Sequence, residues 1–419
     1  MGFVVLVKII MLSKTDSKIY KLIQQEKKRH QEGLNLIASD NYPSLDIREA
    51  VGSILGARYA EGYPDRRYYS GQKYIDAIER TAVERAKKIF KANYANVQPH
   101  SGSQANQAAY LALLNPGDKV LSMKIDQGGH LSHGAPVNFS GKIYDFVFYG
   151  VDLKSEQINT EEIERIAEKE KPKLIIAGAS SYPRQISFDK FGKIAKKVGA
   201  YLMADIAHIA GLVVAGAHPH PFPYCDVVTM TTHKTLRGSR GGLILSKNKE
   251  IADKIDKAVF PGLQGGPLQN EIAGKAIALK EAGEKKFITY QNQVIKNSQA
   301  MAETFKEEGF DLVSGGTDNH LILLNLTGLG ITGKQAQINL EQAYLYVNRN
   351  VIPNEKRSSW EASGLRVGLP AVTTRGFKEK ESQEVARLIS LILKNINSHK
   401  IRENVKKEVI KLAKKYPVR

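Results

Sequence analysis

The chain has a single cysteine, Cys225, among 419 residues. An intramolecular disulfide is therefore excluded, as is any metal site built from several thiolates, and the count fits a reducing cytoplasm. Long apolar runs are missing too. The most hydrophobic terminus, Met1 to Leu12, is interrupted by Lys8, is too short to span a bilayer and has no small-residue cleavage site behind it. We expect a poorly ordered extension there, ahead of a true start at Met11. Acid is also in short supply, with 43 Asp+Glu against 61 Lys+Arg for a formal charge of +18. Such an excess points to nucleic acid only where it is clustered. Here it is spread along the chain, and its densest run, Lys406, Lys407, Lys411, Lys414 and Lys415, alternates with Val405, Val409 and Leu412 at helical spacing. That run reads as the wet face of an amphipathic helix. Neither membrane insertion nor nucleic-acid binding is expected as the main role, and no repeat or low-complexity segment is present.

What is there suits a large core: 42% of residues are hydrophobic, enough for two domains. Helical patterns are expected over 13–31, 44–55 and 75–90, with an extended apolar piece at 34–42. Short apolar runs at 119–123, 144–148, 174–178, 201–204, 226–230 and 242–245 read as strands, with amphipathic helices such as 160–169 and 189–198 between them. This alternation predicts a mostly parallel sheet covered on both faces by helices. After Gly283 the pattern changes to a long helix over 287–308, strands at 311–314 and 320–325, and further helices. We therefore expect an N-terminal arm over 1–55, a large domain over 56–285 and a smaller α+β domain over 286–419.

The most informative stretch runs from Val227 to Gly242. A β-branched run ends in Thr231, Thr232 and His233, and Lys234 is followed by a basic turn containing Gly238, Gly241 and Gly242. A lysine at the end of a buried strand is desolvated, and positive neighbours (His233, Arg237, Arg240) add to the pressure toward its neutral form. A neutral ε-amine is a nucleophile suited to an aldehyde, with which it forms a Schiff base. A surface lysine on a basic loop is the plainer alternative. Asp205 ends another hydrophobic strand one strand–helix–strand unit earlier, so both residues belong at the carboxyl edge of a parallel sheet, where ligands collect. A buried carboxylate needs a cation, either a protonated pyridine nitrogen or a core lysine or arginine.

Ser101, Gly102 and Ser103 open a helix, where free N–H groups, two hydroxyls and a glycine make an anion cup; an ordinary serine N-cap explains the same residues. Gly128-Gly129-His130-Leu131-Ser132-His133-Gly134 carries two imidazoles, of which His130 suits stacking on an aromatic ring. No acid or cysteine beside it makes a metal site, and no metal is expected. Arg366, between Gly364 and Gly368, offers a fork for a carboxylate, or else a structural ion pair. Glu61 stands out chemically in a loop rich in tyrosine, arginine and glycine, from Arg58 to Gly71. Gly328 to Lys334 has the glycine and lysine spacing of a phosphate-binding loop, but Gln335 stands where a magnesium-binding Ser or Thr is needed, and Thr332 reads better as a helix N-cap. A phosphate cup, an acid for a pyridine nitrogen, a Schiff-base lysine and a carboxylate-binding arginine together match one pair, pyridoxal 5′-phosphate and an amino acid.

These motifs resemble the serine hydroxymethyltransferase family. The resemblance runs from Asn35 to about Gly376 through Leu36-Ile37-Ala38-Ser39, Tyr59-Ala60-Glu61-Gly62-Tyr63-Pro64, His100 to Asn106, Asp205-Ile206-Ala207-His208, Thr231 to Gly238, Phe260 to Pro267 and Gly315 to His320. It implies the aspartate-aminotransferase-like fold (fold type I), a homodimer with shared active sites, and reversible interconversion of serine and glycine. A reduced pterin, tetrahydrofolate first among them, would take the one-carbon unit as its 5,10-methylene form. By the resemblance, Lys234 holds the cofactor, Asp205 keeps its pyridine nitrogen protonated, His208 meets its phenolic oxygen and His130 stacks on its ring. Thr231 and Ser180 also belong to the cofactor set, and His233 to the catalytic one. Ser101, Gly102 and Ser103 would hold the phosphate, with Gly265 and Gly266 and Tyr59 from the partner subunit. Arg366 and Ser39 would bind the substrate carboxylate. Glu61 and Tyr69, also from the partner, would handle protons near the serine hydroxyl and the pterin, and Ile125, Gly129, Leu131 and Asn350 would line the pterin site.

The chain departs from the family pattern at Asp40 (for Glu), Ser239 (for Pro), Leu369 (for Thr) and throughout Asn354 to Trp360, a segment near the pterin tail. The carrier could therefore be a methanopterin-type relative, and Lys356 and Arg357 would suit a polyanionic tail. A glycine-directed aldolase without a pterin, and a basic nucleic-acid binder with a vestigial cofactor site, are the competing expectations.

Overall fold

The structure, a computed structural model, describes residues 12–418, so the expected N-terminal extension and the start at Met11 lie outside it. A seven-stranded sheet runs from edge to edge through Tyr94–Asn96, Gly242–Ser246, Val227–Thr231, Tyr201–Asp205, Leu174–Gly178, Lys119–Met123 and Asp145–Tyr149. The last five strands are mutually parallel, and Gly242–Ser246 runs against both of its neighbours. Leu202 and Ala204 join one apolar cluster while Met203 joins another, because successive side chains of a strand point to opposite faces. Both faces are therefore dry and covered by helices, which is why these strands read as continuous apolar runs. Phe188–Val198 shows how a helix meets the sheet: Phe188, Phe191, Ile194 and Ala195 recur at helical spacing and are buried.

A second sheet, all antiparallel, orders Asp311–Leu312, Leu321–Asn325, Gly364–Gly368 and Asn348–Asn350. The helix Lys285–Glu307 and the C-terminal helices Glu379–Lys394 and His399–Lys415 pack around it. Val405, Val409 and Leu412 are buried there, as the spacing of the basic run required. Leu34 and Leu36 belong to this same core, and Leu34–Asn35 pairs in parallel with Leu345–Tyr346.

Three expected elements differ. The helix expected over 44–55 stops at Val51, and a tight turn over Ile54–Ala57 follows. Only Leu34–Asn35 of the extended piece is paired. The strand expected over 311–314 ends at Leu312, because Ser314 adopts φ +58° and donates its N–H to Glu156. The Gly364–Gly368 strand escaped the sequence pattern, since glycines end it and an arginine sits in its middle. Both glycines are needed: a Cβ on Gly368 would lie 2.3 Å from Ala38 Cα, and one on Gly364 2.5 Å from Ile352. No described helix is long and apolar enough to cross a membrane.

Candidate active site

The site forms at the carboxyl ends of two neighbouring parallel strands. Tyr201–Asp205 delivers Asp205, and Val227–Thr231, paired with it in register, delivers the Thr232–His233–Lys234 turn. That turn is closed on Thr232, whose N–H donates to Gly241 O (3.1 Å) and whose hydroxyl donates to Ser239 O (2.6 Å). Ser239, in place of the family's proline, donates in turn to Glu271 O at 2.8 Å. Lys234 is thus presented from a rigid loop, and Asn41 fixes its carbonyl at 3.0 Å.

Lys234 is buried, which rules out the surface-lysine alternative. Burial pushes its amine down to about 8; the Asp205 carboxylate opposes this, and Arg366 and Arg240 reinforce it. The expected positive neighbours are only partly right. His233 is itself pushed down to about 3 by burial and by Arg240, so it carries no charge, and Arg237 lies over the Tyr290 ring at 4.5 Å. Arg366, from the far sheet, takes their place.

Asp205 lies at the floor of the pocket. Burial would raise its carboxyl, but His133 at 2.9 Å and Asn106 at 2.8 Å donate to Oδ2, the Ala207 N–H donates to Oδ1 at 3.0 Å, and the net effect holds it well below the ordinary carboxylate range. No lysine or arginine among the described residues forms an ion pair with it. Thr229 completes the support by donating to Asn106 at 2.6 Å.

Ser101, Gly102, Ser103, His130, Ser180, Asp205, His208, Thr231, His233 and Lys234 all line one pocket of about 210 Å³, with Asn106 and Arg240. Ser101 caps the helix Gly102–Leu113 through Gln104 N at 3.2 Å, as the N-cap reading expected. A Cβ on Gly102 would lie 2.6 Å from Thr231 Cγ2, so only glycine lets the helix start approach this strand. Burial pushes His130 down to about 4, and its Nδ1 faces Ser132 Oγ at 2.7 Å. His208 is buried and held neutral; its ring stacks on His320 with centroids 5.4 Å apart and reaches Ser180 Oγ at 3.4 Å.

Arg366, in the middle of its strand, is not among the residues that line this pocket but bonds Ser180, which is. Its guanidinium donates to Ser180 O (2.7 Å), Ser180 Oγ (3.4 Å) and Asn348 Oδ1 (3.1 Å), all neutral oxygens. Burial lowers it to about 10, with the charge of Asp40 opposing. No carboxylate pairs with it among the described residues, so the structural ion pair is not found. Ser39 lies beside the pocket, in a groove of about 970 Å³ that shares His233 and Arg240 with it.

Five expected residues are elsewhere. Tyr59, Glu61, Tyr69, Gly265 and Gly266 gather in a separate patch and do not line the Lys234 pocket. Both tyrosine hydroxyls lie 3.4 Å from Glu61, and the two rings meet edge to face at 5.2 Å. A Cβ on Gly265 would lie 3.0 Å from Glu61, and one on Gly266 3.3 Å from the Tyr59 ring. Of the expected pterin residues, Ile125 opens a short turn that leads into Gly129 and Leu131, while Asn350 is on the edge strand of the other sheet. Thr332 is an N-cap with a reciprocal bond to Gln335, as expected. Sequence reasoning missed Asn106, His133 and His320, although all three stood inside motifs it had singled out.

The fold is α/β, a large mostly parallel sheet covered by helices, with Lys234 and Asp205 in one pocket at its carboxyl edge. The family model for serine hydroxymethyltransferase matches residues 12–389. A serine hydroxymethyltransferase from Methanosarcina barkeri (strain Fusaro / DSM 804) is 53% identical over 407 residues, covering 97% of this chain and 99% of its own length. The chain belongs to the serine hydroxymethyltransferase family, and its activity is that of a glycine hydroxymethyltransferase, a one-carbon transferase acting between serine and glycine.

Proposed function

We propose that the Lys234 pocket holds pyridoxal 5′-phosphate, that serine and glycine bind through Arg366, and that the carbon passes to a reduced pterin, tetrahydrofolate in the first instance, in a cytoplasmic homodimer. The observation that carries this reading is Asp205, a buried and ionised carboxylate without a lysine or arginine partner. A protonated pyridine nitrogen is the cation it suits. Bound there, the cofactor supplies an electron sink for charge developing at the substrate's α-carbon.

The chain's own residues do the rest. Lys234, with its amine near 8, offers a useful neutral fraction at physiological pH for attack on an aldehyde. Asp205 keeps a proton on the ring nitrogen by charge. Arg366 grips the amino-acid carboxylate and orients it, freed from competition by the absence of an acid partner. His208, neutral and braced by His320, would be the residue to meet the ring's phenolic oxygen. Ser101, Gly102 and Ser103 receive the phosphate at the helix start.

Glu61 and Tyr69, with Tyr59, Gly265 and Gly266, complete the site from the partner subunit, where they hold and move protons near the serine hydroxyl. Their gathering in one patch apart from the pocket supports sharing between two chains. The pterin site is assigned to Ile125, Gly129, Leu131 and Asn350. Arg357 is occupied, donating to Ile331 O (2.9 Å) and Ser363 Oγ (3.3 Å), so exposed Lys356 is the residue left to meet a polyanionic tail. The division into an arm (1–55), a large domain (56–285) and a small domain (286–419) belongs to the same proposal.

A visible spectrum of the purified protein tests the reading. A coloured band that shifts on adding glycine and again with reduced pterin is expected, with the covalent attachment lost in Lys234→Ala. A protein that stays colourless when supplied with the cofactor contradicts it, and pterin-independent cleavage of threonine faster than serine turnover would favour a plain aldolase.

A further inference from the structure

Lys275 lies in the helix Gln269–Ala282 and is 1% exposed, yet neither the pocket nor the patch accounts for it. Its ammonium donates three hydrogen bonds, to Val97 O (2.6 Å), Pro99 O (3.0 Å) and Gly242 O (3.0 Å). These carbonyls belong to the two segments that bear the cofactor machinery. Val97–Pro99 leads directly into the Ser101 cap, and Gly242 closes the loop that presents Lys234. The two segments also meet without the lysine, through Gly242 N–H to Pro99 O at 2.9 Å. A Cβ on Gly242 would lie 2.4 Å from Ser101 O, so the backbone of the cup rests on this glycine. Gly241 makes room for the lysine stem: a Cβ there would lie 2.2 Å from Lys275 Cε.

A buried ammonium is costly unless an anion answers it. Here no carboxylate comes within 4.0 Å among the described residues, and three neutral carbonyls take its place. Burial pulls the amine down to about 7, with Glu271 and Glu79 opposing from a distance. Three carbonyl acceptors leave no direction for a nitrogen lone pair, so the protonated form is the one the geometry holds. Beyond burial, its charge also lowers His100, next to the cup, and His233, next to Lys234.

We infer that Lys275 is a positioning residue of the phosphate cup: it ties the Val97–Pro99 segment to Gly242 just ahead of the Ser101–Ser103 turn, and its charge finds its counter-ion in the bound phosphate. The inference rests on the proposal that this pocket takes pyridoxal 5′-phosphate. Full-length apoprotein carrying Lys275→Met, and separately Lys275→Gln, which keeps two donors without the charge, is titrated with pyridoxal 5′-phosphate and with pyridoxal. We expect both variants to bind the phosphate ester at least about tenfold more weakly while pyridoxal affinity changes by less than about twofold. Equal weakening of both ligands, no weakening of either, or failure of both variants to fold makes the lysine a structural brace only and overturns the inference. Should Lys275→Met alone fail to fold, Lys275→Gln decides. A wild-type protein that binds neither ligand sinks the cofactor proposal itself, a distinct result.

Discussion

The residues around Lys234 and those around Glu61 are held in opposite ways. Lys234, Asp205, His208 and Arg366 are buried, and their acid–base character is set by desolvation and fixed neighbours before any ligand arrives. Tyr59 and Tyr69 are 55% and 46% exposed, in a loop whose order comes from beneath. Arg67 supplies it: the buried guanidinium pairs with Asp76 (2.9 Å) and Glu79 (2.6 Å) and donates to Ala60 O and Gly62 O, both at 2.8 Å. Glu79 is itself bonded by Gln98, one residue from Pro99 and the cup. The pocket residues are tuned by their own burial, whereas the Glu61 patch is a braced, exposed surface. If the patch completes the pocket of a partner subunit, as proposed, the lower dielectric there would strengthen its charge interactions on assembly.

The largest effect that would break this contrast is expected at Asp205. Asp205→Asn keeps the size and removes the charge, and should lower kcat by about 10²-fold or more in protein that circular dichroism shows to be folded. A loss of only a few-fold would mean that the buried half is not electrostatically set. Next, Arg366→Lys keeps a charge but loses the two-pronged fork, and should raise the serine KM by about tenfold or more, with a smaller change in kcat. Steady-state kinetics separates the two parameters, and a fall in kcat alone would place Arg366 outside carboxylate binding.

A pH effect follows from the amine of Lys234. Only its neutral form attacks, and burial has brought its titration down to about 8, so aldehyde capture by the apoprotein should rise from pH 6 through 8 and then level off. Stopped-flow absorbance checks this; a rise continuing to pH 10 would show an unperturbed lysine. The smallest effect is expected on the surface, where Lys356→Glu should raise the KM for a polyglutamylated carrier about threefold and leave a monoglutamate unchanged.

The sheet and the chemistry were legible for the same reason. Strands buried on both faces have to be apolar throughout, and the polar residues that end them, Asp205 and Lys234, stand out against that background. Arg366 was legible as a residue and not as part of a strand, because its glycines are there for close approach to Ala38 and Ile352, distant in sequence. His133 and Asn106 were hidden differently. Their role exists only through contact with Asp205, 72 and 99 residues away, and each has an ordinary local explanation, in a loop and in a helix. Glu61 stood out in its loop, yet the separation of that loop from the Lys234 pocket is a tertiary fact no spacing encodes.

Hybrid dimers test the two-part site most directly. Lys234→Ala destroys the pocket and spares the patch, and Glu61→Gln does the reverse. Each variant alone should be nearly inactive, while equal mixing after dissociation and reassembly should restore about one quarter of wild-type turnover, since half of the dimers then carry one site with both halves intact. Activity that stays at the level of the separate variants, with subunit exchange verified by mass, would contradict the account.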